Sequence, residues 1–385
     1  MYTMELNETI TERRRQTRNN IYQYLYHHKG FCSKQTISQD LGLSLPTVYQ
    51  NLTELMDAGL VGFSGKQRST GGRRAMGLDI VPNARITISI SVSNTHVRLA
   101  AVDLRLQELC YRSIKRQLDE NFDELVSFLA VELEAFLNEN HIDRSKLLGV
   151  GIAFPGVISA DRETMVLAPT LHLQNVRLRN LQDAIPYPVQ IQNDGTCGGY
   201  AEWFVRAENG SAGYSGNMAY LFLETGVGGS LFLDGQLYDG DHARSGEFGH
   251  MCVETGGRLC ECGKRGCLEA YCSVRRISDD LGLTLEEFFR ELQAGNEEYA
   301  ALWQDMLRHL AVAINFVNMM MDCEVVLGGC LSEYLEPWLP LLRQYVADGN
   351  PFESNGSFVH LSSLKSHNLS FGAALYYIKQ FIGTI

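Results

Sequence analysis

Apolar positions near the start of the chain recur at helical spacing. Between Arg18 and His28 they fall at Ile21, Leu25 and Tyr26, and Lys29-Gly30 supplies a stop. Ser33 can cap a second short helix, Lys34 to Leu41, with Ile37 and Leu41 on one face and Gly42 at its end. A third helix starts at the Ser44 cap, accommodates Pro46 in its first turn, and carries Val48, Leu52, Leu55 and Met56 as an i, i+4, i+7, i+8 stripe. Thr47, Tyr49, Gln50, Asn51 and Glu54 are expected on its opposite face. A strand around Val61 and Phe63, a glycine-rich loop from Gly65 to Arg74 and a strand from Met76 to Ile80 then read as a hairpin.

Two short helices joined at a glycine, followed by a hairpin, predict a winged helix-turn-helix, DNA-binding domain over residues 1–82. Its DNA face comprises Lys34, Ser44, Thr47, Tyr49, Gln50 and Asn51. Gln50 and Asn51 are the expected base readers, because an amide can bond an adenine edge bidentately. Arg68, Arg73 and Arg74 at the hairpin tip would reach phosphates or the minor groove. A small helical cap making only protein contacts is the alternative.

Beyond Pro82 the period changes. Ile86 to Val92 alternates apolar and polar residues, a turn follows at Ser93-Asn94, and Val97 to Val102 continues as a second strand. Leu125, Phe128, Leu129, Leu133, Phe136 and Leu137 mark a helix over residues 123–138. Strands are expected at Leu148 to Phe154, Val189 to Gln192, Met218 to Leu223 and Glu324 to Leu327, with a long helix around Leu302 to Met320. Residues 83–385 are therefore an α/β body.

Charge sharpens this division. Residues 1–80 hold ten lysines and arginines against seven acids, a net +3, while the whole chain of 385 residues carries −12. Only the head is suited to meeting DNA. The longest apolar stretch, Leu310 to Met321, is broken by Asn315 and Asn318, and the first residues lack the layout of a secretory signal. A cytoplasmic protein without a membrane span is expected.

In that reducing compartment ten cysteines read as thiols or metal ligands. His250, Cys260, Cys262 and Cys267 form His-x9-Cys-x-Cys-x4-Cys. Three thiolates and an imidazole suit the closed tetrahedral shell of structural zinc, with Gly263 and Gly266 allowing the tight turns. Buried thiols beside an unrelated histidine are the alternative. Cys252 and Cys272 flank the motif and are expected in the core.

The stretch Gly246-Glu-Phe-Gly-His-Met251 followed by Gly256-Gly-Arg-Leu-Cys-Glu-Cys-Gly-Lys-Arg-Gly-Cys-Leu-Glu269 resembles the signature of the ROK family (repressors, open reading frames and sugar kinases). Pro155-Gly156, Asn193-Asp194, Thr225-Gly-Val-Gly-Gly229, Leu327-Gly-Gly329 and the head's Ser69-Thr-Gly-Gly-Arg73 extend the resemblance over nearly the whole chain. It implies a two-lobed, actin-like (ribonuclease H-like) ATPase and sugar-kinase fold, α/β in class. For a chain with a winged head it implies repression of sugar-utilisation genes until a sugar or sugar phosphate binds.

Matching the family's sugar kinases residue by residue implies that Asn193, Asp194, Glu247, His250 and Glu269 contact sugar hydroxyls, with Asp194 at the position of the vestigial general base. Thr170 would supply a further hydroxyl contact. The kinases' Asp-x-Gly-Gly-Thr phosphate motif is replaced here by Ser91-Val92-Ser93-Asn94-Thr95, and Glu224 stands where their second phosphate loop has glycine. A cleft that binds sugar without phosphorylating it is expected, so no catalytic residue is assigned. An active kinase with an appended DNA-binding head is the alternative. Paired operator half-sites imply a homodimer or a dimer of dimers.

Overall fold

The computed structural model describes residues 2–28, 31–66, 76–116, 121–159, 161–209, 216–352, 354–365 and 371–385. Lys29-Gly30 and the hairpin-tip residues Arg68, Arg73 and Arg74 lie outside them.

The head contains α1 (Tyr2–His27), α2 (Lys34–Asp40), α3 (Leu45–Asp57), β1 (Val61–Lys66) and β2 (Met76–Ile80). Ser33 and Thr36 form a reciprocal capping box on α2, and the Ser44 side chain accepts from the Thr47 amide at the start of α3. Strands β1 and β2 pair antiparallel from Val61 opposite Ile80. Helix α1 begins at Tyr2 rather than near Arg18. The added turns precede the stripe read from sequence, and Arg14 and Arg18 both pair with Glu54 on α3.

The body repeats one plan twice. In the first lobe β3 (Ile86–Val92), β4 (His96–Asp103) and β5 (Glu108–Lys115) pair antiparallel, and β6 (Leu147–Phe154) and β10 (Val189–Asn193) extend the sheet parallel to β3, in the order β10-β6-β3-β4-β5. In the second lobe β11 (Met218–Leu223), β12 (Val227–Leu233) and β13 (Gln236–Leu237) are antiparallel, with β14 (Glu324–Gly328) and β15 (Val359–Leu361) parallel to β11, in the order β13-β12-β11-β14-β15. A small antiparallel sheet of β7 (Val157–Ile158), β8 (Thr164–Ala168) and β9 (Leu173–Arg177) roofs the gap between them.

Strand β5 escapes sequence reading because its large apolar residues face outward: Leu109 is 46% and Tyr111 40% exposed. Its other face, with Cys110 and Ile114, packs on the core and is only partly buried.

Helices cover both sheets: α4 (Phe122–Glu139), α5 (Arg179–Ala184) and α6 (Asp194–Asn209) belong to the first lobe or the junction, and α7 (Glu269–Cys272), α8 (Arg275–Leu281), α9 (Leu285–Gln293), α10 (Glu297–Met321) and α11 (Leu339–Gly349) to the second. The last helix, α12 (Phe371–Thr384), returns to the first sheet and packs on β3 and β6. Contact there is so close that a Cβ on Gly151 would sit 2.2 Å from the Ala373 carbonyl oxygen, and one on Gly372 would sit 1.8 Å from that of Cys197.

The outer side of α12 meets the head. Leu375, Ile378 and Ile382 share one buried cluster with Ile21, Tyr22, Leu25, Leu52 and Leu104. Tyr22 is edge-on to Phe381, the Asn19 amide donates to the Gly383 carbonyl at 3.0 Å, and the Tyr26 hydroxyl donates to that of Leu104 at 2.6 Å. The head is thus built into the body's core. Ile378→Ala, at a wholly buried position, is expected to cost about 2–5 kcal/mol. Hydrogen exchange should show the lost protection in α1 as well as α12. Loss confined to α12 would mean that the two cores are energetically separate.

Candidate functional site

One cleft of about 240 Å³ opens between the lobes, where the ends of β6, β10 and β11 face each other. Crevices at strand carboxyl ends are the usual ligand sites of α/β sheets. It is lined by Thr170, Asn193, Asp194, Glu247, His250 and Glu269, so the structure brings all six sequence-nominated residues to one place.

Local chemistry fixes each of them. Asn193 caps α6: its side-chain oxygen accepts from the Thr196 amide at 2.9 Å while its amide donates to the Gly156 carbonyl at 2.9 Å. Asp194, the first residue of α6, accepts from the Gly195 amide at 2.8 Å. Burial pushes its carboxyl up to about 7 against that hydrogen bond, and the charges of Glu224 and Glu247 add to the rise. Near neutrality it can therefore donate to a hydroxyl as well as accept from one. Glu269 opens α7 and accepts from the Val227 amide at 2.9 Å, tying α7 to β12. The Thr170 hydroxyl is sealed from solvent, lines the cleft and has no hydrogen-bond partner within the protein.

Reasoning from sequence missed part of the lining. Pro155, Val157, Leu167, Pro169, Phe222 and Val227 give the cleft apolar walls. Glu261 and Arg275 form an ion pair there. No spacing rule singles out Arg275, which belongs to α8 and reaches the cleft only through the fold.

His250, Cys260, Cys262 and Cys267 offer donor atoms that all lie within 4.8 Å of one another. A tetrahedral shell with metal–sulfur bonds of about 2.3 Å separates its sulfurs by about 3.8 Å, and Cys262 and Cys267 stand 3.7 Å apart. The donor set and its spacing fit a metal ion. Cys272 is buried as expected, but Cys252 is exposed, a correction to its expected place in the core.

On the head, Tyr49 and Gln50 are exposed on α3, and the Lys34 ammonium sits 4.2 Å from the Tyr49 ring centre. Ser44 and Thr47 spend their side chains on the helix cap, 2.8 Å from each other. Asn51 does not face outward: only 3% of it is exposed, and its amide donates to the Thr47 carbonyl at 2.8 Å. Its place one residue from Leu52 on the α3 wheel turns it toward α1. The expectation of base reading by Asn51 is corrected accordingly. Glu54 is likewise drawn inward by Arg14 and Arg18. Leu45, 48% exposed, Pro46 and Thr53 join the outer face instead.

The ROK family profile matches residues 87–379. The chain belongs to the ROK family. Within it, the chain is similar to the xylose repressor of Bacillus subtilis, with 27% identity over 86% of this chain and 83% of the relative. Among solved structures it resembles a ROK family transcriptional regulator described as a homologue of the E. coli MLC protein, with a TM-score of 0.76, 21% identity, and coverage of 96% of this chain and 97% of that one. A ROK hexokinase from Thermus thermophilus also matches, with a TM-score of 0.61 and 24% identity, over 99% of its own length but only 77% of this chain. The kinase and the regulator thus share the ROK body, and the regulator match takes in nearly the whole chain.

Asp194 yields a pH test. An unfolded aspartate titrates near ~3.9, so between about pH 4 and pH 7 the native ROK body keeps a proton that the unfolded chain has lost, and this group's contribution to stability falls as pH rises through that window. Asp194→Asn removes the term. Its melting temperature should exceed that of the unsubstituted protein at pH 8, with the gap closing toward pH 5. A gap independent of pH would contradict the placement of Asp194.

Proposed function

We propose that this chain is a sugar-responsive transcriptional repressor of carbohydrate-utilisation genes, with residues 1–82 as the DNA-binding domain and residues 83–385 as the ROK effector-binding and oligomerisation body. One observation carries the reading: the cleft gathers polar groups suited to a polyol but lacks a phosphate grip, in a chain that also presents a recognition helix. Asn193, Asp194, Glu247, His250, Glu269 and Thr170 are assigned to the sugar, where carboxylates, amides and hydroxyls match its alternating donors and acceptors. The unsatisfied Thr170 hydroxyl supports this, since such a group gains most from a ligand hydroxyl.

Phosphate is disfavoured on two counts. The β3–β4 turn closes on itself, the Ser93 amide and hydroxyl both donating to the His96 carbonyl, at 2.9 and 3.1 Å, which leaves no glycine cradle. On the facing lobe the Glu224 carboxylate lines the cleft and accepts from the Cys330 amide at 2.8 Å, so an acid occupies a donor that phosphate would need. With Asp194, Glu247, Glu261 and Glu269 also on the wall against Arg275, a neutral sugar is favoured over a phosphosugar. The chain is accordingly a regulator and not an enzyme.

DNA contacts are assigned to Lys34, Ser44, Thr47, Tyr49 and Gln50, with Arg68, Arg73 and Arg74 on the wing. A homodimer or dimer of dimers would match paired half-sites. Among the described residues no helix is long and apolar enough to cross a membrane, and a cytoplasmic location follows from the proposed role. Helix α6, which starts at Asp194, packs on α12, and α12 packs on α1. A sugar that favours one lobe arrangement therefore acts on elements that bear directly on the head.

The metal assigned to His250, Cys260, Cys262 and Cys267 is zinc, in a structural role. It would hold the loop between Glu247 and Glu269, and no cleft chemistry passes through it. Cys262→Ser is expected to purify with less than about half an equivalent of zinc by elemental analysis and to melt several degrees lower. Full stability without zinc would refute the assignment.

The function itself is tested by fluorescence anisotropy on duplexes from the neighbouring promoter region. An inducing sugar should weaken binding at least about tenfold, a coupling of ~1.4 kcal/mol, and Glu269→Gln should abolish that response while sparing DNA affinity. ATP-dependent turnover of any hexose, or indifference to DNA with and without sugars, would refute the reading.

A further inference from the structure

The exposed thiol of Cys252 has no part in the donor set, yet it stands directly opposite one of that set. Cys252 and Cys267 face each other across an isolated antiparallel β-bridge. Its hydrogen bonds run from the Val253 amide to the Gly266 carbonyl, 2.8 Å, and from the Leu268 amide to the Met251 carbonyl, 2.9 Å. Both belong to the residues on either side of the cysteines, so the cysteines form the non-hydrogen-bonded kind of pair. In that kind the Cα atoms lie about 4.5 Å apart and the side chains are at their closest, within the range of about 4.4–6.8 Å that a disulfide spans.

The thiol lies against the segment that carries Cys267. A Cβ built on Gly266, the neighbour of Cys267, would lie 3.2 Å from the Cys252 sulfur, and that sulfur donates to the Arg265 carbonyl at 3.9 Å. Cys252 is thus solvent-accessible, outside the donor set, and paired across the bridge with a residue of that set.

We propose that Cys252 is a redox-modification site that forms a disulfide with Cys267 and so opens the metal shell. The oxidant is a hydroperoxide. The Cys252 thiolate attacks the peroxide oxygen, the O–O bond breaks, and a sulfenic acid forms with release of hydroxide or alkoxide. The Cys267 thiolate then attacks the Cys252 sulfur, the S–O bond breaks, and hydroxide leaves. Two thiols lose two electrons, the hydroperoxide is reduced to water and its alcohol or a second water, and the metal is left with His250, Cys260 and Cys262. Metal affinity falls, and the loop bearing Glu247 and Glu269 loses its tie. The loss of metal rests on the zinc reading above; the disulfide does not.

The test uses the full-length protein as purified, treated with about one equivalent of hydrogen peroxide. Peptide mapping under non-reducing conditions identifies the linked cysteines, and a chromogenic chelator follows zinc. The expected results are a Cys252–Cys267 linked peptide, zinc release in step with it, and restoration of both by dithiothreitol with added zinc. In Cys252→Ser, whose exposed side chain is expendable for folding, zinc release should be at least about tenfold slower. Linkage of Cys262 to Cys267, release at the same rate from Cys252→Ser, or Cys252 left as an isolated sulfinic acid would each overturn the proposal. Protein that carries no zinc before treatment would sink the metal reading alone, since the linked peptide is still scored.

Discussion

Helix α12 has almost no freedom relative to the elements beneath it. Glycines at 151 and 372 let backbone meet backbone, and any added carbon would collide with a carbonyl oxygen. Interdigitation at that distance makes a helix respond as a block to movement of its neighbours. The neighbours are consequential: α6 begins at Asp194 in the cleft, and α1 braces the helix α3 that presents Tyr49 and Gln50. Helix α12 thus lies between α6, which begins in the cleft, and α1 of the head.

The cleft shows how one scaffold changes occupation by small substitutions. Two of the groups on its wall also hold backbone: Asn193 caps α6 and Glu269 ties β12 to α7. Glu224 also lines the cleft, and Ser93 closes the β3–β4 turn. Glu224 bonds the Cys330 amide, so this acid has acquired a structural role that a phosphate would have to displace.

Much of this was legible in sequence wherever burial follows a simple period. The stripe Val48, Leu52, Leu55 located α3, and alternation located β3 and β4. Cysteine and histidine spacing marked the metal cluster, and the resemblance to the ROK family, not spacing, singled out the six cleft residues. What escaped notice was set by tertiary contact. Strand β5 exposes Leu109 and Tyr111, Arg14 and Arg18 of α1 pair with Glu54 from another helix, and Arg275 arrives by folding. Asn51 was misplaced because an amide reads as outward-facing on any helical wheel, whereas here it bonds its own backbone at Thr47 and leaves its oxygen buried without a partner. Such a group costs stability unless something offsets it, and the saturated apolar core around it is the available offset.

The metal loop completes this logic. Residues 251–268 contain no strand longer than an isolated bridge and no helix; turn and bridge hydrogen bonds, such as those from the Gly266 amide to the Arg258 carbonyl and from the Cys260 amide to the Lys264 carbonyl, order them. Four side-chain donors converging within 4.8 Å would add a further tie on holding a metal ion, and Glu269, the last residue of the motif, links the loop to the cleft through the Val227 amide. Under the zinc reading, chemistry at a single ligand would remove that tie. The exposed position of Cys252 beside Cys267 places that sensitivity at the surface, while the buried Cys260 and the helix α7 remain protected by the fold.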